Sequence, residues 1–392
     1  MEQTWRWFGD NDPISLDDVR QAGATGIVTA LHHLPPGTRW SADEIEKRKA
    51  RIAAGKLQWR VCESIPMHDG IKRGGAAAAP LIAAWKDSLA NLGRAGIPVV
   101  CYNFMPIVDW TRTDLRYRLP NNALALRFDM PDFVAYDVFM LKRPNAEGDY
   151  ADGLVAEARR RYDRKSESER AELETNIIAG LPGGAEAQTR ETMRALIASF
   201  AELTADDLRR NLADFLREVV PVAEEAGVRL AIHPDDPPVS LFGMPRVVST
   251  AADVRALLAA APSPANGLTL CVGSYGSRAD NNVVAIASEF APQIHFAHLR
   301  NVRKEDDGSF YESDHLDGDT DMVAVIRLLL AEEQRAAREG RARVIPLRPD
   351  HGHLLGDDIT KKTNPGYSYI GRLKGLAELR GVMRALEAGA VH

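Results

Sequence analysis

Cysteine is scarce: Cys62, Cys101 and Cys271 are the only three in 392 residues. An odd number at long spacings does not make the disulfide framework of a small secreted domain, so reduced thiols are expected. Surplus positive charge is also lacking. Acidic residues outnumber basic ones 55 to 49, the net charge is -6, and no Lys/Arg block stands apart from compensating acids. That excludes a surface built for phosphate backbones, and nucleic acid with it. No stretch of about 18 apolar residues occurs, and Met1-Glu2-Gln3-Thr4 opens neither a cationic n-region nor an apolar h-region. The expectation is a soluble, cytoplasmic protein with no membrane partner. With no internal repeat, low-complexity tract or linker, residues 1–392 are expected to form one domain.

What is present is apolar material, 45% of the chain, arranged in short runs. Eight of them read as strands: Trp5 to Phe8, Gly26 to Leu31, Trp59 to Glu63, Pro98 to Asn103, Arg229 to His233, Leu268 to Cys271, Ile294 to His298 and Val344 to Leu347. Buried parallel strands look like this, and eight is the number that closes a (β/α)8 TIM barrel. Helical segments lie between most of them. Ser15 to Ala22 and Ser41 to Ala54 open on a serine N-cap, and Glu44 stands at capping-box spacing from Ser41. Pro80 to Ala95 and Thr204 to Ala226 end at Gly96 and Gly227, directly before the next run. Between the fourth and fifth runs lies far more chain than one crossover uses. We expect a helical, highly charged insertion over roughly 111–202, broken at Leu181-Pro182-Gly183-Gly184, on the catalytic face as a lid or an oligomer contact.

Four late runs stop on, or just before, a residue that can bind a divalent cation: His233, Cys271, His298 and Asp350. Strand ends of a barrel meet at its mouth, so two imidazoles, a thiolate and a carboxylate are expected to converge there. Each alone more often has a structural role; together they point to a metal-dependent enzyme. By softness the set suits Zn2+ or Fe2+, with Mn2+ less natural. No C-x-x-C or H-E-x-x-H motif competes for the ion. Alternation along the strand puts Phe296 and Ile294 inside with His298, and His295 and Ala297 toward the shell. Arg348 shares a direction with Asp350, as a substrate-carboxylate binder or a partner of the ligands.

Longer strings carry a resemblance. Arg6-Trp7-Phe8-Gly9-Asp10-Asn11-Asp12-Pro13, Val61-Cys62-Glu63-Ser64-Ile65-Pro66, the stretch from Val100 to Leu115, His298-Leu299-Arg300-Asn301, Arg348-Pro349-Asp350-His351-Gly352-His353 and Asn364-Pro365-Gly366-Tyr367 closely resemble the D-mannonate dehydratase family of hexuronate degradation. The likeness runs the full length. It implies a xylose-isomerase-like barrel that removes water from D-mannonate to give 2-dehydro-3-deoxy-D-gluconate, with Mn2+ or Fe2+ as cofactor and a homo-oligomeric assembly. Carried over by position, it places the metal on His233, Cys271, His298 and Asp350, and proton transfer on His351 and Tyr367.

Arg6, Tyr102, Asn103, Arg300, Asn301 and Arg348 are expected to bind the sugar acid. His32 and His33 are adjacent, so at most one contacts it. His68, His315, His353 and His392 are expected in loops or at the surface, and Trp7 and Trp40 as filling of the barrel ends. A metal-dependent isomerase or epimerase on the same barrel is the rival reading, though such enzymes usually hold metal with more carboxylates. A non-catalytic sugar-acid binder would not need both His351 and Tyr367, and a repair endonuclease would need a basic groove.

Overall fold

The computed structural model describes residues 1–178 and 189–389. The expected break at Leu181 to Gly184, and His392, lie outside the described residues. In chain order the strands are β1 (Glu2–Arg6), β2 (Gly26–Thr29), β3 (Gln58–Glu63), β4 (Val99–Tyr102), β5 (Asp114–Arg118), β6 (Leu124–Phe128), β7 (Arg229–Ile232), β8 (Leu268–Cys271), β9 (Ile294–His298), β10 (Asn301–Lys304), β11 (Phe310–Ser313) and β12 (Pro346–Arg348). The eight expected runs supply β1–β4, β7–β9 and β12. These close a parallel barrel in the order β1-β12-β9-β8-β7-β4-β3-β2. Closure comes where Glu2 pairs with Pro346 on one side of β1 and Thr4 with Gly26 on the other.

Strands covered on both faces should be apolar throughout, and every residue of β2, β4, β8 and β9 is buried. Val28, Val61, Val99, Cys101, Ala231 and Phe296 interlock inside the barrel, while a much larger cluster fills the space between barrel and helices. One parity expectation fails. Phe296 and His298 face inward and Ala297 outward, but Ile294 packs in the outer cluster. The β8–β9 ladder skips His295, pairing Leu268 with Ile294 and Thr269 with Phe296, and this bulge resets the alternation. His295 itself is buried, with Nδ1 2.7 Å from the Leu230 carbonyl oxygen.

Helix ends follow the sequence closely. Ser15, Thr204 and Thr250 each accept from the backbone N–H three residues on, and the acid there reaches back to the cap. Ser41 also caps its helix, but the expected reciprocal box does not form: Glu44 turns its carboxylate to Lys47 and His33, at 2.7 and 2.9 Å. Gly96 and Gly227 take φ of 78° and 65°, left-handed turns that send the chain from helix into strand.

The insertion departs from the all-helical expectation. Its first part is the antiparallel pair β5–β6, and only then do helices follow at Met130–Ala135, Asp152–Arg164, Glu167–Ile178 and Arg190–Ala198. Charge hid a period-two pattern in Asp114 to Arg118, and the turn residues Pro120, Asn121 and Asn122 mark the hairpin. β5 and β6 join β10 and β11, which lie between barrel strands β9 and β12, in a four-stranded sheet of order β10-β11-β6-β5. Phe128, Phe133, Phe242, Val302 and Phe310 belong to the core beneath it. Among the described residues no helix is long and apolar enough to cross a membrane.

Candidate active site

A cavity of about 800 Å³ opens at the C-terminal ends of the barrel strands, lined among others by Arg6, Asn103, His233, Arg348, Asp350, His351 and Tyr367. Three of the four expected ligands end or directly follow β7, β8 and β9, and their donor atoms lie within 4.8 Å of one another: His233, Cys271 and His298. His233 Nε2 stands 3.1 Å from His298 Nδ1. Asp350, two residues past β12, brings Oδ2 to 3.7 Å from the Cys271 sulfur and Oδ1 to 4.0 Å from His298 Nδ1. It does so from a backbone φ of 67°, a left-handed conformation that aspartate tolerates better than most residues. Two imidazoles, a thiol and a carboxylate converging in a buried place fit a divalent cation with borderline-soft preferences.

Charge around these donors is dense and balanced. Arg6 pairs with Glu63 at 2.6 Å, Glu63 with Arg348 at 2.8 Å, and Arg348 with Asp350. Asp350 continues to Arg300 at 2.8 Å; Arg300 contacts Asp236 and Glu312, and Arg112 closes the chain at 2.8 and 2.9 Å from those two. All eight side chains are buried, so each charge depends on its neighbours. Burial opposes charge on Asp350, but Arg348, His351, His298 and Arg300 outweigh it and hold the carboxyl well below the usual range. Burial and then the Arg348 guanidinium push His298 far down, which keeps its imidazole neutral and a donor. His233 goes the other way: burial works against its cation, yet Cys271, Glu63 and Asp350 lift it to about 9.

His351 and Tyr367 stand together on the cavity wall, ring centroids 5.0 Å apart and edge to face. Both oxygens of Glu312 lie 2.9 Å from His351 Nδ1. Tyr367 ends a turn in which its N–H donates to the Asn364 carbonyl at 2.9 Å. Gly366 is required there, since its φ is 78° and a Cβ would lie 2.8 Å from the His351 ring. Burial raises the Tyr367 phenol although Arg348 and Arg6 pull the other way, so it is protonated at neutral pH.

The expected substrate binders divide. Arg6, Asn103 and Arg348 line the cavity. Arg300 lies behind it, its Nη2 3.8 Å from the Cys271 sulfur. Tyr102 does not reach it: its ring packs on Trp85 and Phe215 in the outer cluster, because Cys101 before it points inward. Nor does Asn301, whose amide donates to the His315 and Thr320 carbonyls and ties down a loop. His32 and His33 both border the cavity, with His33 half out in solvent beside Glu44. Trp7 and Trp40 are buried in the large cluster between barrel and helices. His315 and His353 lie in loops as expected, but not at the surface; both are buried, bonded to the carbonyls of Pro349 and Glu312.

Sequence reasoning missed Glu63, Lys72, Arg112, Asp236 and Glu312. A signal existed for Glu63, a carboxylate ending an apolar run just as the ligands do. Asp236 sits in the loop after His233, and Lys72, buried on the short helix Asp69–Arg73, borders the cavity beside Asp69 at 2.9 Å. Arg112 and Glu312 come from the second sheet and its approach, where no local pattern marks them.

The D-mannonate dehydratase (UxuA) family pattern matches residues 1–392. The chain is 65% identical over 387 residues to Mannonate dehydratase 2 of Agrobacterium fabrum (strain C58), covering 99% of this chain and 98% of that one. It is 56% identical over 389 residues to a mannonate dehydratase of Saccharophagus degradans, again covering 99% and 98%. The crystal structure of mannonate dehydratase from Streptococcus suis serotype 2 superposes with a TM-score of 0.80 at 34% identity, over 100% of this chain and 96% of that chain. On barrel, site and full-length similarity together, the chain belongs to the D-mannonate dehydratase family.

Proposed function

We propose that this chain removes water from D-mannonate to give 2-dehydro-3-deoxy-D-gluconate, that His233, Cys271, His298 and Asp350 hold a divalent cation, Mn2+ or Fe2+, and that His351 and Tyr367 transfer the protons. The observation that carries the reading is the meeting of those four donors beside one cavity, with an imidazole and a phenol next to each other on its wall. A cation bound there would stabilise the negative charge that builds next to the substrate carboxylate as the α-proton leaves.

The chain's own groups account for the rest. One of His351 and Tyr367 takes the proton from C2, and the electron pair becomes the C2–C3 double bond. The C3–O bond breaks, and the other group gives the departing hydroxide a proton, so water leaves. The enol then gains a proton at C3 as its C2 hydroxyl gives one up, and becomes the 2-keto acid. Each proton transfer is typically worth about 10²–10⁴-fold in rate. Arg6, Arg348 and Asn103 border the same space and suit the carboxylate and hydroxyls of an aldonate. Buried charges already paired with one another hold these groups in place before substrate arrives.

Incubating the purified protein with Mn2+ or Fe2+ and a panel of aldonates tests this. Formation of 2-keto-3-deoxy acid from D-mannonate supports it. Interconversion of an aldose and a ketose with no water lost would replace it by the isomerase reading. Family likeness also supports a homo-oligomer in the cytoplasm, which sedimentation and cell fractionation check.

A further inference from the structure

Glu312 takes no part in the reaction as written, yet it makes the shortest polar contacts of His351. Its two oxygens straddle His351 Nδ1 at 2.9 Å each. Arg112 Nη2 holds the same carboxylate at 2.9 Å, and Arg300 Nη1 joins it. The backbone is held as well, because His353 Nε2 lies 2.9 Å from the Glu312 carbonyl oxygen. His351 and His353 thus grip one residue twice, by side chain and by main chain. Gly352 between them has no room for a side chain, since a Cβ would lie 2.3 Å from the Arg372 backbone nitrogen.

Where Glu312 comes from is informative. It lies on β11, which pairs with β6 of the insertion through Phe310 with Phe128 and Tyr311 with Arg127. No barrel strand supplies a partner for His351 Nδ1 among the described residues. An imidazole on a cavity wall has two tautomers and two ring orientations, and a fixed carboxylate on one nitrogen selects one of each. Resting on the reading of His351 given above, we infer that Glu312 is a positioning residue. It accepts from Nδ1–H, which leaves Nε2, 3.8 Å from Asp350 Oδ1, as the ring nitrogen left to exchange a proton, and the second sheet is the part of the fold that delivers it.

The test uses the metal-loaded enzyme and the variants Glu312→Gln and Glu312→Asp, each alone and combined with His351→Asn. The expected result is a kcat lowered by about 10–100-fold in the single variants, with KM and bound metal per chain at the parental level. On the His351→Asn background either Glu312 change should cost nothing further, because the ring it positions is gone. The same loss in both backgrounds, or a parental kcat in the single variants, overturns the inference. Glu312→Asp keeps a charge facing Arg112 and Arg300 while drawing the carboxylate back from the ring, so it decides the matter if the Gln variant does not fold. A parental rate in His351→Asn alone would remove the reading of His351, and this inference with it. A slow His351→Asn beside fast Glu312 variants would remove the inference only.

Discussion

The barrel interior has two layers that share strands and nothing else in character. Val61 and Phe296 belong to a dry apolar plug, and two residues further along the same strands Glu63 and His298 belong to a charged layer that meets the cavity. The first is held mainly by packing, with the Thr269 hydroxyl donating to the Cys101 sulfur at 3.3 Å. In the second, four guanidinium groups face four carboxylates, and each buried ion is stable only because its neighbours are. Two positions of one strand therefore do different work, packing below and, on the reading proposed above, ion binding above.

Several substitutions would sharpen or break that division. The largest effect is expected at Cys271: Cys271→Ser should lose the bound metal and measurable turnover, with little change in unfolding midpoint. Metal analysis beside the keto-acid assay reads both, and a parental rate with metal bound would remove Cys271 from the ligand set. Tyr367→Phe, also in the upper layer, should lower kcat by about 10²–10⁴-fold and leave metal content and stability alone. In the plug the reverse is expected. Phe296→Ala should cost about 3–5 kcal/mol in denaturant unfolding, through lost burial and a cavity, while the kcat of the folded fraction falls less than in either variant above, although the Phe296 ring lies 4.5 Å from that of His298.

A pH effect comes next. Burial, despite a bond to the Leu230 carbonyl, holds His295 at about 3, and burial likewise brings His315 to about 4. The unfolded chain takes up these protons near pH 6.5 and the folded chain does not. Stability contributed by each is therefore complete above about pH 6.5 and is lost at about 1.4 kcal/mol per pH unit down to the folded value. Urea midpoints between pH 7 and 4 should fall, less steeply for His295→Gln. The smallest effect belongs to Tyr102→Phe. Its hydroxyl is buried with no hydrogen-bond partner among the described residues, so removal should be neutral or stabilising by up to about 1 kcal/mol, with KM unchanged.

The same layering explains what could be read beforehand. Barrel strands announce themselves because they are buried on both faces, and the four donors because each ends such a run or follows one closely. The proposed proton-transfer pair rests on resemblance instead, since nothing in the pattern around His351 or Tyr367 tells chemistry from structure. Tyr102 was legible and misread: with Cys101 facing in, its neighbour had to face out. Ile294 was not, because the bulge at His295 leaves no mark in the residues. Strands β5 and β6 hid behind Arg and Asp, whose charges suggest a solvated helix until Pro120 and the two asparagines are given weight. Glu312 and Arg112 act across folded distance, and local sequence holds no trace of that.

The four-stranded sheet draws its halves from two places, one before β7 and one after β9. It works as a cross-tie, so neither half can be exchanged alone. Trimming the segment that carries β5 and β6 would bare an edge of β11, and a transplant of β10 and β11 into another barrel would arrive without the strand that steadies them. Anyone grafting new loops onto this scaffold has to move both pieces as one.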